Sequence, residues 1–483
     1  MAHNKVRVGI DVGGTFTDAV IIDNTTLTII DKRKIPTTHT SKEGVAEGII
    51  TIIRDLLRDN QIRPEDVSFI SHGTTQATNA LLEGDVAKVG IIGMGESGSA
   101  KAETNIEALE LAPKKYLDTD YAFIPSGQVS TDLLNQTLHQ FKENNGEVVV
   151  ASEAFSIEHP EHEKAVMDGA LEQGFYSTGG HEISQLFGLR LRTRTAVVNG
   201  SLIPKMMETS DMTEKVVKDL GIDRDLMIMR ADGGVMSVQE VRKRPILTML
   251  SGLAAGVAGA IMYERISDGI FLEMGGTSTD ISVIKDGKVM IKNASVGGHK
   301  TYLKSVDVRT IGIAGGTMIR EDESGKLFVG PRSAHLANVP YECYSDALDD
   351  TAVLAKIQPK AGDPSDYVVI EDQAAHRVAL TLSGAANYLG YVQPDDYSYA
   401  TTAVTRKAWQ IFADASNQQP EALARKCLDL AAERICAVIQ ELIQEYELDK
   451  EFITLYGGGG SAGVFMHYLG EKTGFQSEVV ENA

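Results

Sequence analysis

The feature that most restricts the fold is a strand–turn–strand unit that occurs twice. Residues 10–22 read IDVGGTFTDAVII and residues 272–284 read LEMGGTSTDISVI. In each, an apolar run reaches an acidic residue, passes through a glycine turn and returns to apolar alternation after a second acid. At a shift of 262 positions Asp11 aligns with Glu273, Gly13 with Gly275, Thr17 with Thr279 and Asp18 with Asp280. Period-two alternation around a glycine turn is a β-hairpin signal. Two such hairpins predict two related lobes.

The 483 residues suffice for two domains, each with its own core. Apolar strand-length runs alternate with longer amphipathic stretches, the pattern of an α/β protein with covered sheets. Strands are expected at 5–12, 18–23, 27–32, 67–73, 87–94 and 146–152, with a helix near 42–58. Residues 176–200 lack strand character, and a domain boundary is expected near 190, giving lobes 1–190 and 191–483. In the second lobe strands are expected at 226–231, 269–275, 279–287, 288–294 and 452–457. A helix-rich stretch is expected from 373 to 446. The segment 346–354, DALDDTAVL, reads as a capped helix start.

Several classes of partner are excluded by charge and hydropathy. The net charge of −21 is spread along the chain, a surface that repels nucleic acid and anionic membrane, so neither is expected as a partner. No run approaches the roughly 18 apolar residues of a membrane span. AAGVAGAIM (254–262) is the nearest and reads as a packed helix. The first strand is entered without a basic-plus-apolar leader, which argues against secretion. The three cysteines, Cys343, Cys427 and Cys436, form no CxxC and cannot all pair, so a cytoplasmic protein with reduced thiols is expected.

A GGT turn has almost no side chain to keep a ligand from the main chain, and its N–H groups can converge on an anion. Neither hairpin segment contains lysine or arginine, and no Walker-type GKS or GKT occurs. A polyphosphate there needs amides, hydroxyls and a metal. Asp11 and Asp280 adjoin the turns and are expected to hold Mg²⁺ through bound waters. The plainer alternative is a hairpin whose acids satisfy turn amides. A third cluster, LYGGGGSAGVF (455–465), ends a strand in four glycines, Gly457 to Gly460, where a nucleoside can lie against bare backbone. Ser461 is placed to cap the following helix.

Together these motifs resemble the actin/hexokinase-like ATPase superfamily. More closely, the chain is similar to the hydantoinase A/5-oxoprolinase family, including its acetone-carboxylase-like branch. The residues that carry this are GIDVGGTFTDAVI, HGTTQATNALLEG (72–84), RTAVVNGSLIP (194–204), DGGVMS (232–237), SGLAAGVAGA (251–260), EMGGTSTDIS (273–282) and VDVRTIGIAGGTMI (306–319). The resemblance implies two lobes of actin-like, ribonuclease H-like fold with a nucleotide cleft between them. It implies that Gly13, Gly14, Thr15 and Thr17 hold phosphate from one lobe, and Gly275, Gly276, Thr277 and Thr279 from the other. Gly457, Gly458, Gly459 and Gly460 would face the adenosine of ATP.

The family couples ATP cleavage to opening a cyclic amide or to activating a ketone for carboxylation. The implied activity here is an ATP-dependent hydrolase opening a hydantoin- or 5-oxoproline-like lactam through a phosphorylated carbonyl. The alternatives are a subunit of a ketone carboxylase and an ATP-driven conformational module. A small cyclic amide or ketone is the expected substrate, with a second subunit or a homo-oligomer as partner. His72 reads as a general acid/base or carbonyl binder, or as a histidine bonded within its own turn. Thr74, Thr75 and Asn79 read as substrate contacts. Two stretches depart from the family pattern. MGESGSAKAETN (94–105) replaces the usual continuation after the HGTT segment. Arg309 stands where the family carries histidine, placing a cation near the expected cleft as a further substrate contact.

Overall fold

The structure, a computed structural model, describes residues 5–12, 16–38, 45–346, 348–400 and 403–480. It contains two compact units. The first comprises Met1–Ala255 with Ile291–Val306, and the second Gly256–Met290 with Asp307–Ala483. Residue 190, the expected boundary, lies just inside the helix Leu189–Asp219, which belongs to the first unit. A hairpin of strands Ile291–Val296 and His299–Val306 also belongs to that unit. It is held to the long helix by Tyr302 N donating to Thr195 Oγ1 at 2.9 Å and by Arg194 Nη1 donating to Lys300 O at 3.1 Å.

The main sheet of the first unit is built from β1 (Val6–Val12), β2 (Phe16–Asp23), β3 (Ile29–Pro36), β4 (Val67–Thr74), β5 (Leu226–Met229) and β6 (Val235–Ser237). Their spatial order is β6-β5-β4-β1-β2-β3. The first three run as an antiparallel meander, β4 is parallel to β1, and β5 is parallel to β4. Alternation in VRVGIDV drives Val6, Val8, Ile10 and Val12 into the core and leaves Asp11 on the other face. A second, all-parallel sheet orders Tyr176–Gly179, Val148–Glu153, Val89–Gly95 and Thr119–Pro125. Tyr176–Gly179 is a strand in the region expected to lack one. Four residues bounded by glycines are too short to register as a period.

The second unit repeats the first plan. Its main sheet contains β7 (Gly269–Met274), β8 (Thr279–Lys285), β9 (Lys288–Val289), β10 (Val308–Ile311), β11 (Thr454–Gly458) and β12 (Gln476–Val479). The order is β9-β8-β7-β11-β12, with β10 also paired to β8. Again an antiparallel pair adjoins strands parallel to the first. The expected α/β fold with two related lobes of actin-like type is therefore present. A five-stranded antiparallel sheet and the helices Leu382–Leu389, Ala403–Ser416, Pro420–Glu445 and Ala462–Thr473 complete the unit, packed around the fully buried Trp409. The segment expected to start a helix at 346–354 instead makes an Asp349 turn that leads into the strand Val353–Ile357.

Candidate active site

The two hairpins match in register as well as in sequence. In the first unit Asp11 opposes Asp18 and Val12 opposes Thr17. In the second, Glu273 opposes Asp280 and Met274 opposes Thr279. Each hairpin thus sets two acids side by side on one sheet face, at the end where the chain turns. The parallel strand on the other side supplies a glycine each time, Gly73 opposite Asp11 and Gly458 opposite Glu273. At Gly73 the reason is space, since a Cβ there would stand 2.7 Å from Asp11 Oδ1.

The acids differ in their third neighbour. Across β2, Asp18 opposes Lys34, whose Nζ lies 3.0 Å from Asp18 Oδ2. Across β8, Asp280 opposes Thr310, whose hydroxyl donates to Asp280 Oδ1. Asp11 keeps some solvent-exposed surface, yet the surrounding protein raises its carboxyl above the ordinary range; Asp18 adds to the effect and Lys34 opposes it. Burial also raises Asp280, against the Thr310 bond. The sequence reading joined Asp11 with Asp280. The structure pairs each with an acid of its own hairpin and adds Lys34, a cation 16 residues from Asp18 in sequence.

Thr17 and Thr279 point the other way. Both are fully buried; Thr17 Oγ1 lies 3.2 Å from Thr37 Oγ1, and Thr279 Oγ1 donates to Ile313 O at 2.7 Å. Their hydroxyls fasten the hairpins from inside rather than reaching outward to phosphate. Gly13, Gly14 and Thr15 lie outside the described residues.

In the second unit three glycine segments meet. Ser461 N donates to Met274 O at 3.0 Å, tying the glycine loop to the β7–β8 turn. Gly316 N donates to Gly276 O at 3.1 Å, bringing in the segment after β10. Only bare backbone fits here. A Cβ on Gly459 would stand 2.6 Å from Met274 O, and one on Gly316 2.5 Å from Gly276 O and 1.9 Å from the Tyr341 hydroxyl. Thr277 Oγ1 lies 3.2 Å from Ser333 Oγ at the same turn. Gly275, Gly276, Thr277 and Gly457–Gly460 are thus brought together. Gly315, Gly316 and Tyr341 join them unannounced, although the GIAGG run was visible in the sequence. Ser461 sits at the helix start without a side-chain cap bond, contrary to expectation.

Tyr341 is held in place by its neighbour. Glu342 is fully buried and accepts from Thr381 N at 3.1 Å, Thr381 Oγ1 at 2.9 Å and Trp409 Nε1 at 3.2 Å. Burial pushes its carboxyl up to about 7 and the Tyr341 hydroxyl up to about 12. Tyr341 is therefore a neutral hydroxyl at the glycine crossing.

The expected acid/base residue His72 and the expected substrate contact Arg309 lie elsewhere. His72 opposes Ile10 and Ile228, on the core face of β4 and away from Asp11. It is 2% exposed, neither ring nitrogen has a hydrogen-bond partner among the described residues, and burial lowers its pKa to about 4. It is a neutral imidazole inside the sheet, not a turn residue facing outward. Arg309 opposes Ile281, on the other face of β8 from Asp280, and its guanidinium pairs with Glu445 and Asp307. Thr74 is buried and bonds Gln76 N through its hydroxyl. Thr75 and Asn79 remain half-buried at the carboxyl end of β4, with Asn79 Nδ2 donating to Thr75 Oγ1 at 3.3 Å.

Magnesium keeps several waters and takes one or two carboxylates together with phosphate oxygens. Asp11 with Asp18, and Glu273 with Asp280, each form a donor pair of that kind, so these residues fit the ion. Among the described residues no group of three or more His, Cys, Asp and Glu side chains forms a closed metal cage.

Comparison with known proteins agrees with this architecture. The hydantoinase/oxoprolinase N-terminal region profile matches residues 7–174, and the hydantoinase/oxoprolinase profile matches residues 192–483. Caprolactamase subunit alpha of Pseudomonas jessenii is 26% identical over 98% of this chain and 68% of its own length. The 5-oxoprolinase 1 of Arabidopsis thaliana is 25% identical over 95% of this chain but only 39% of its own. The crystal structure of the ATP-dependent caprolactamase from Pseudomonas jessenii shares the fold, with a TM-score of 0.73 at 24% identity, covering 97% of this chain and 68% of that one. On this basis the chain belongs to the hydantoinase/oxoprolinase family.

Proposed function

We propose that the chain is the nucleotide-using part of an ATP-dependent hydrolase that opens a cyclic amide. The observation that carries the nucleotide reading is the crossing of three glycine segments at Met274, Gly276, Gly316 and Ser461. The substrate class rests on relatives named caprolactamase and 5-oxoprolinase. One of them is by name a subunit, and a second subunit is proposed here also.

In this reading Gly275, Gly276 and Thr277 receive phosphate, with Gly13, Gly14 and Thr15 in the equivalent role in the first unit. Gly457–Gly460 lie against the nucleoside. Asp11 with Asp18, and Asp280 with Glu273, hold Mg²⁺, which when bound neutralises phosphate charge. The carbonyl oxygen of the amide attacks the terminal phosphorus of ATP, and ADP leaves. Water then adds to the activated carbon and the C–N bond breaks, the amine taking up a proton and leaving an acyl phosphate, which a second water hydrolyses to the amino acid and phosphate. Catalysis of this type is positioning and charge stabilisation. Thr75 and Asn79, at the carboxyl end of β4, are the substrate contacts retained from the sequence.

The test is ADP release from Mg·ATP by the purified protein, alone and with its co-purified partner, across a panel of lactams and cyclic ureides. Stimulation by one of them supports the reading. A basal rate throughout the panel, with the partner present, contradicts it.

A further inference from the structure

Tyr397 is 86% exposed, more than any other large hydrophobic side chain among the described residues. An isolated exposed aromatic needs no explanation, but the backbone on either side of this one is fixed by hydrogen bonds. On its N-terminal side, Asp396 Oδ1 accepts from Ser398 N at 2.8 Å and from Ser398 Oγ at 2.6 Å. On its C-terminal side, Ser398 O accepts from Tyr344 OH and Asn387 Nδ2, both at 2.9 Å, and Ala400 N donates to Asn387 Oδ1 at 2.6 Å. The ring edge lies on the glycine loop, where a Cβ at Gly460 would be 3.4 Å from Tyr397 Cδ1 and 3.5 Å from Cε1. Its faces stay open beside backbone that carries no side chain.

The adjacent charge decides which end of a nucleotide suits this place. Asp396 Oδ2 lies against Gly463, in the first turn of the helix Ala462–Thr473, where an added Cβ would stand 2.0 Å away. That carboxylate already occupies the positive end of the helix dipole and repels a phosphate. The surface beside Tyr397 therefore fits the uncharged end of a nucleotide, while the crossing at Gly276 and Gly316 fits the charged end.

We propose that Tyr397 is the stacking wall of the nucleobase subsite and sets how tightly the base is held. The proposal rests on the reading of the chain as an ATP-using enzyme. A flat aromatic face reads a base by overlap rather than by its hydrogen-bonding edge.

The test is calorimetric binding of Mg·ATP and of magnesium tripolyphosphate to the wild type, Tyr397→Phe and Tyr397→Ala. Loss of one stacking contact should weaken ATP binding by the alanine variant about tenfold, and the phenylalanine variant should stay within about twofold of wild type. Tripolyphosphate affinity should be the same in all three. Unchanged ATP affinity in Tyr397→Ala, or equal loss of ATP and tripolyphosphate, overturns the proposal. A wild type that binds tripolyphosphate as tightly as ATP removes the base subsite but leaves the phosphate reading standing. A wild type that binds neither removes both.

Discussion

Asp11 stands directly opposite Asp18 across the β1–β2 ladder, and the same register sets Glu273 opposite Asp280 in the second unit. Like charges facing each other in a sheet are destabilising. In the first pair the Lys34 ammonium, 3.0 Å from Asp18 Oδ2, offsets part of that repulsion, and the proposed Mg²⁺ would offset the rest. Asp11→Asn and Asp280→Asn should each lower ADP release by at least about 100-fold, the scale for loss of a preorganised charge contact. Both variants should keep a wild-type circular dichroism spectrum. Turnover within a few-fold of wild type would remove the proposed role.

The same pair predicts a pH signature. Although the Asp11 side chain is exposed, partial desolvation by the surrounding protein and then Asp18 both favour its protonated form, so its folded pKa lies above its unfolded one. The folded protein then binds that proton more tightly than the unfolded chain, and stability falls as pH rises through the raised value. Asp11→Asn removes the penalty. Its melting temperature should be equal to or above wild type at pH 8, and the advantage should fade toward about pH 4, the ordinary carboxylate range. A variant less stable than wild type at pH 8 contradicts the argument.

Glu342 should dominate a second pH effect. Its carboxyl, pushed up to about 7 by burial, loses its proton in the folded state only near neutrality. The fold should therefore lose stability between its unfolded value of about 4.5 and pH 7. Urea denaturation at pH 5.5 and pH 8 should show the drop in wild type and a smaller one in Glu342→Gln. Equal slopes in the two proteins would assign the effect elsewhere. Gly384→Ala should be more damaging, since its Cβ would stand 1.6 Å from Glu342 Oε1. Overpacking of this kind costs roughly 1–3 kcal/mol or more.

At the glycine crossing, Gly316→Ala and Gly459→Ala should weaken Mg·ATP binding strongly. The first collides with Tyr341 and Gly276, and the second with Met274 O at a φ of +84°. Gly325→Ala, in open space at a similar φ of +77°, is the control for backbone strain alone. Equal binding loss in all three would show that strain, not the crossing, is responsible.

Much of this arrangement was legible because it is local. The shift of 262 positions predicted the duplicated hairpin, and the register keeps it residue for residue. The strands around both glycine turns also lie where period-two alternation put them. What was not legible depends on contacts distant in sequence. Lys34 reaches Asp18 through the β2–β3 pairing, and Tyr341 reaches Gly316 through the packing of a separate sheet. The direction of a side chain at a strand end was also hidden. His72 follows an apolar run and precedes a glycine, which reads as a turn. The strand continues to Thr74, so His72 faces the core. The Ile291–Val306 hairpin was placed with its sequence neighbours, yet its contacts belong to the first unit.

The most direct measurement is equilibrium binding of ATP to the whole chain with and without magnesium, in wild type and Asp280→Asn. The account predicts tight binding that requires magnesium and is lost in the variant. Binding that is indifferent both to magnesium and to the loss of the Asp280 charge would contradict it.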